Sequence, residues 1–204
     1  MIRTPRSALL ALALCAALPA FANPADEKKA PEMSAEQKAM MEAYQAAGTP
    51  GAAHAALAKT AGTYDIEVTS WEAPDAPPTK EKGVAKRSMS LDGRVLVEQV
   101  ESTMHGQPWN GHGMHGYDNV SGRHWSTWND SMSTGLMVSD GECDASMSCK
   151  FTGSWNDPIG KGKINARMTS RWTDASTEVF EMYTPGPDGK EMKMMEITYR
   201  KRAN

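Results

Sequence analysis

Hydrophobic and polar positions change their spacing once along this chain, at Gly62. Before it the spacing is helical. Met40, Met41 and Tyr44 fall near one face of a segment opened by the capping box Ser34-Ala-Glu-Gln37 and ended by Gly48. Thr49-Pro50 supplies an N-cap and a first-turn proline for a second short helix, which carries His54, Leu57 and Ala58 and ends at Ala61-Gly62. From Gly62-Thr63-Tyr64 the period becomes two. Tyr64, Ile66 and Val68 alternate with Asp65, Glu67 and Thr69, the signature of a half-buried strand.

A Pro-rich loop over 72–83 follows. Strand-like runs then occur near 84–91, 94–104, 111–118, 123–131, 134–139, 147–155, 163–172, 176–183 and 190–201. Turn chemistry separates them: Asp92-Gly93, Asp118-Asn119 with Gly122, Asp140-Gly141, Asp157-Pro158 with Gly160, Thr173-Asp174, and 185–189. About ten evenly spaced strands joined by tight turns predict an all-β fold, a closed up-and-down antiparallel β-barrel with short N-terminal helices as a lid. Closing the barrel removes the exposed edges. A two-sheet sandwich is the competing architecture.

The amino end reads as an address. Arg3 and Arg6 form a positive n-region, Ala8 to Leu18 an apolar run, and Ala20-Phe21-Ala22 a cleavage site. The expected organisation is a signal peptide over 1–22, a disordered tether over 23–33, a helical lead-in over 34–61 and the barrel domain over 62–204. Cleavage after Ala22 implies a periplasmic or secreted protein. Leu14 precedes Cys15 where a lipobox needs a small residue, so lipidation is rejected.

Composition narrows the partners. A formal charge of −3, more negative once Arg3 and Arg6 are removed, leaves no basic stripe for nucleic acid. No later segment is long and apolar enough to be a membrane span. Of three cysteines, Cys143 and Cys149 remain in the exported chain, and their spacing suggests a disulfide across a hairpin turn.

Four groups of residues could carry chemistry. On 123–131, alternation puts His124, Ser126, Trp128 and Asp130 on one face, a mixture typical of a ligand cavity. Glu98, beside Leu96 and Val100, and Glu196, beside Met194 and Thr198, are candidate inward carboxylates, with surface placement the commoner fate of such residues. Met104, His105, His112, Met114 and His115 concentrate imidazole and thioether donors suited to copper, and His112 and Met114 share a strand face. Gly111-His-Gly113-Met-His-Gly116 spells a dinucleotide motif but opens no helix, so these glycines read as a bulge or a close backbone approach.

Gly116-Tyr117-Asp118-Asn119, Ser126-Thr-Trp-Asn-Asp-Ser131, Phe180-Glu-Met-Tyr183, Asp188-Gly-Lys-Glu191 and Met195-Glu-Ile-Thr-Tyr-Arg200 together resemble the bacterial family known as domain of unknown function 1579. The resemblance spans roughly 50–201. It implies a lipocalin-like (calycin) barrel, the superfamily of lipocalins, fatty-acid-binding proteins and nitrobindins, and it implies no activity. By that analogy Tyr64 stands at the barrel base under an arginine from a late strand, for which Arg200 is the candidate, both structural. The nitrobindin analogy also makes His54 a candidate haem ligand at the barrel mouth.

The leading expectation is an exported barrel that binds a small, partly apolar ligand. The alternatives are a copper-handling protein and a hydrolase-type enzyme using Asp130 or Glu196 as acid or base. The cofactor and the oligomeric state are left open.

Overall fold

The computed structural model describes residues 32–158, 160 and 162–203. The leader, its cleavage site and most of the 23–33 tether lie outside them. Two helices, α1 (Ala35–Gly48) and α2 (Ala52–Lys59), precede ten strands. These are β1 (Gly62–Ser70), β2 (Thr79–Ser90), β3 (Val95–Met104), β4 (Gln107–Asp118) and β5 (Arg123–Asp130). They continue with β6 (Met137–Cys143), β7 (Cys149–Asn156), β8 (Lys163–Trp172), β9 (Thr177–Pro185) and β10 (Glu191–Lys201). Each strand pairs antiparallel with its sequence neighbours, and β10 returns to pair with β1 from Tyr64 opposite Lys201 to Ser70 opposite Met195. The fold is therefore a closed up-and-down barrel, and the sandwich alternative falls.

Strand alternation divides inside from outside. Tyr64, Ile66, Ala85, Val100, Ile197 and Tyr199 are buried in one lumenal cluster. The outer wall carries cross-strand ion pairs such as Arg123 with Asp140 and Glu142, and Arg167 with Glu191. No helix among the described residues is long and apolar enough to cross a membrane.

The helices close the end of the barrel where β1 begins. Leu57 of α2 is fully buried against Leu96, Met147 and Cys149. The Tyr64 hydroxyl donates to the Thr60 carbonyl at 2.6 Å, so α2 is a plug for the base, and the expected lid over the mouth is corrected. α1 starts with the expected Ser34–Gln37 capping box. Its last carbonyls, orphaned by the end of the helix, are met by Asn119: its side-chain amide donates to Ala46, Ala47 and Thr49. This gives the Gly-Tyr-Asp-Asn segment a structural role. Gly51, rather than Thr49, is the N-cap of α2.

β4 starts early, at Gln107, and two further strands depart from the sequence expectation. β2 starts at Thr79, inside the stretch expected to be loop, because its polar Lys80, Glu81 and Lys82 pair with Thr69, Val68 and Glu67 of β1. β6 runs through Asp140-Gly141, which reads as a turn. The turn comes later, where Asp144 accepts from the Ser146 and Ser148 amides and Met147 takes a positive φ of 61°. Gly141 serves contact instead: a Cβ there would overlap the Lys150 carbonyl oxygen and crowd Phe151. Gly141→Ala is expected to destabilise by about 1–3 kcal/mol, read as a lowered urea midpoint. An unchanged midpoint would mean that β6 and β7 stand further apart than described.

The Cys143–Cys149 disulfide is formed, joining the end of β6 to the start of β7.

Candidate functional site

Inside the ring is one elongated cavity of about 430 Å³, running from Thr60 at the base to Met132, Gly135 and Pro158 at the mouth. Its walls are mostly apolar. Trp109, Trp128, Trp155, Trp172, Phe151 and Phe180 supply rings, and methionines such as Met104, Met137, Met168, Met182, Met194 and Met195 fill between them. Unbranched thioethers adapt to irregular occupants better than branched side chains.

His124, Ser126, Trp128 and Asp130 all project inward, since β5 pairs them with Tyr117, His115, Gly113 and Gly111 of the inward face of β4. The glycines are explained by the same face. A Cβ at Gly111 would overlap the Trp128 ring, so the glycine lets that indole lie flat on β4, stacked on Trp109 at 5.9 Å. The polar members do not form a relay. Ser126 bonds Ser139, hydroxyl to hydroxyl, at 2.6 Å; Asp130 accepts from the Trp128 ring N–H and the Met132 amide. His124 meets His115, Nδ1 to Nε2, at 3.1 Å. Ser126, His124 and Asp130 are thus each engaged elsewhere, which leaves the hydrolase expectation without a proton path. Among the described residues Trp109 lines the cavity with its ring, and its buried Nε1–H has no hydrogen-bond partner.

The base is charged. Arg87, from β2, donates through Nε to Glu98 at 2.8 Å and through Nη1 to Glu178 at 2.5 Å. Its guanidinium lies 4.3 Å from the Tyr199 ring centre and 4.9 Å from that of Tyr64. Burial works against the charge on Arg87, but Glu178 and Glu98 hold its pKa well above the ordinary arginine value. Burial and the two glutamates push the Tyr199 hydroxyl up as well.

This corrects the expected clamp. Tyr64 is fully buried at the base, but the cation over it is Arg87; Arg200 sits on the outward face of β10, opposite Asp65, and is exposed. Glu98 is an inward carboxylate held by Arg87. Glu196 points outward and pairs with Lys193, which also binds Glu181. Arg87 and Glu178 were missed, although a signal existed. Ala85, Arg87 and Met89 share one alternating face, and a lone charge between apolar neighbours calls for a buried partner.

The copper cluster is dispersed. His105 sits in the exposed β3–β4 turn at φ 51°; His112 and Met114 face outward from β4; Met104 and His115 face inward. Their strand alternation sends neighbouring donors to opposite sides of the wall. His54 is buried at the base, its Nδ1 accepting from the Gly51 amide and its ring edge-on to Tyr117 at 5.8 Å. It does not line the cavity, so these residues do not fit a haem held by His54. The five-ring path His54, Tyr117, His124, His115, Phe151 instead links the plug to the lumen. Burial, then His124 and Arg87, lowers the His115 pKa to about 3, and burial with His54 lowers that of His124.

Comparison with known proteins agrees with the architecture. The family described as "Protein of unknown function (DUF1579)" matches residues 49–201. No curated protein matches significantly. The crystal structure of Rv2717c from M. tuberculosis superposes with a TM-score of 0.60 at 11% identity, covering 76% of this chain and 100% of that one. The S-type phycobiliprotein lyase CPES from Guillardia theta gives 0.51 at 9% identity, covering 72% and 91%. At such identities the likeness is one of fold.

Proposed function

The chain belongs to the DUF1579 family, and we propose that its barrel encloses a small, largely apolar molecule. The observation that carries this reading is the apolar cavity of about 430 Å³ walled by aromatic rings and methionines. That volume lies in the range of small-molecule sites. The rings and methionines would cover the apolar body of such a molecule. Asp130 and the Ser126–Ser139 pair add polar atoms near the same wall.

Export is part of the proposal. The charged n-region, apolar run and small-x-small site support it, as does a disulfide, which persists best in oxidising compartments.

The test uses native mass spectrometry of the full chain from its own cells, with titration of 1-anilinonaphthalene-8-sulfonate, an apolar fluorophore with acceptor oxygens. A discrete extra mass and probe binding are expected. Filling the lumen with Met104→Trp and Met137→Trp should abolish probe binding. A barrel that is always empty, or a filled variant that binds the probe at full strength, would sink the reading.

A further inference from the structure

Beside the base plug lies a group of donor atoms that the ligand cavity does not explain. One ring nitrogen of His115, one of His124 and Cys143 Sγ all lie within 4.8 Å of one another. They come from three strands. His115 is the inward residue of β4 next to Ser126, His124 opens the inward face of β5 opposite Gly141, and Cys143 ends β6. We infer that these three side chains form a site for a tetrahedral, zinc-type cation, completed only when the Cys143–Cys149 disulfide is opened.

Three observations carry it. Metal bonds of about 2.0 Å to nitrogen and 2.3 Å to sulfur, at a tetrahedral angle, separate two imidazole nitrogens by about 3.3 Å and a nitrogen from sulfur by about 3.6 Å. His115 Nε2 and His124 Nδ1 already stand at 3.1 Å, close to that bite. Next, Cys143 is the third donor, and its sulfur needs to approach the pair by about 1.2 Å at most. Release from Cys149 frees the side chain for that movement. Last, the rings are held by their surroundings: Phe151 is edge-on to His115 at 5.3 Å and Tyr117 edge-on to His124 at 4.9 Å. Two imidazoles and one thiolate suit zinc. His115 lines the cavity, so the fourth position opens toward the lumen and is available to water or to an acceptor atom of an occupant.

The chemistry balances with a dithiol as reductant. It gives two electrons and two protons to the disulfide and becomes a disulfide itself. The Cys143–Cys149 bond breaks, leaving two thiols, and the cation displaces the proton of Cys143 as the thiolate binds. Oxidation reverses the sequence and expels the metal. The disulfide is thus a gate as well as a staple.

The test titrates the folded full chain with Zn²⁺ against a chromophoric competitor, and with Co²⁺ as a spectroscopic probe. The dithiol-reduced protein is expected to bind one Zn²⁺ at least about tenfold more tightly than the oxidised protein. Co²⁺ should then show a thiolate charge-transfer band in the near ultraviolet. Cys149→Ser should bind without reductant, whereas Cys143→Ser, His115→Gln and His124→Gln should each weaken reduced-state binding at least about tenfold. Circular dichroism identifies the folded variants, and the reduced and oxidised wild type carries the comparison if a variant fails to fold. Equal binding by Cys149→Ser and Cys143→Ser, equal binding by the reduced and oxidised wild type, or Co²⁺ bound without a thiolate band would overturn the inference.

Discussion

Replacing Arg87 with alanine is expected to destabilise the barrel by roughly 3–5 kcal/mol. The charge is removed while Glu98 and Glu178 stay in the base, where the side chains of the three partners are only 9%, 17% and 10% exposed. Two desolvated carboxylates would then face each other with no countercharge. For a domain of this size the loss corresponds to a fall of about 10 °C in Tm, measurable by circular dichroism. Arg87→Lys is expected to recover less than half of it. Lysine offers a point charge, whereas the guanidinium uses Nε, Nη1 and its flat face at the same time. The informative control is the triple replacement Arg87→Met, Glu98→Leu, Glu178→Leu, expected within about 1 kcal/mol of the parent or above it, because a well-packed apolar substitute avoids desolvation altogether. A loss under about 1 kcal/mol for Arg87→Ala would show that water reaches the cluster and screens it.

The second large effect is on acid stability. The His115 pKa falls from 6.5 to about 3 in the folded chain because burial, His124 and Arg87 all disfavour the imidazolium. Above pH 6.5 both folded and unfolded chains hold it neutral, so it has no effect on the balance. Below that, the unfolded chain takes up a proton that the folded chain refuses, and stability declines until the folded pKa is passed. At pH 4.5 the decline amounts to about 2.7 kcal/mol. The direction is the same for His124, lowered by burial and by His54. The window between pH 6.5 and 4.5 is diagnostic, because the lowered carboxylates, such as Glu181 beside Lys193, lose their contribution only at more acid pH. His115→Phe should flatten the acid limb in urea titrations across that window. An acid limb unchanged in both His115→Phe and the His115→Phe, His124→Phe pair would refute the assignment.

Much of this architecture is legible in the amino-acid order, for a simple reason. A barrel wall forces strict alternation, and alternation survives in a single sequence. Hence the grouping of His124, Ser126, Trp128 and Asp130 on one face of β5 could be read from the sequence, whereas closure of the ring decides that this face is the inner one. Positions whose meaning depends on partners far along the chain could not. Arg87 meets Glu178 across 91 residues, and no local spacing announces that encounter. Arg200 was a reasonable alternative for the same cation, but its register opposite Asp65 turns it outward. Asp140-Gly141 was misread because glycine has two uses, reversal of the chain and contact without a side chain, and only the facing Lys150 carbonyl separates them. The copper reading failed on the alternation that made β5 readable: donors two apart stay together, and donors one apart separate.

Closure of β1 on β10 also sets an order of events in synthesis. The amide of Arg202 donates to the Thr63 carbonyl at 2.8 Å, so the seam joins the first residues of the ring to the last. Until the final strand has emerged, β1 and β9 each have one unpaired edge, and both are open to wrong partners. A barrel of this design cannot close its ring until β10 is free to pair on both sides.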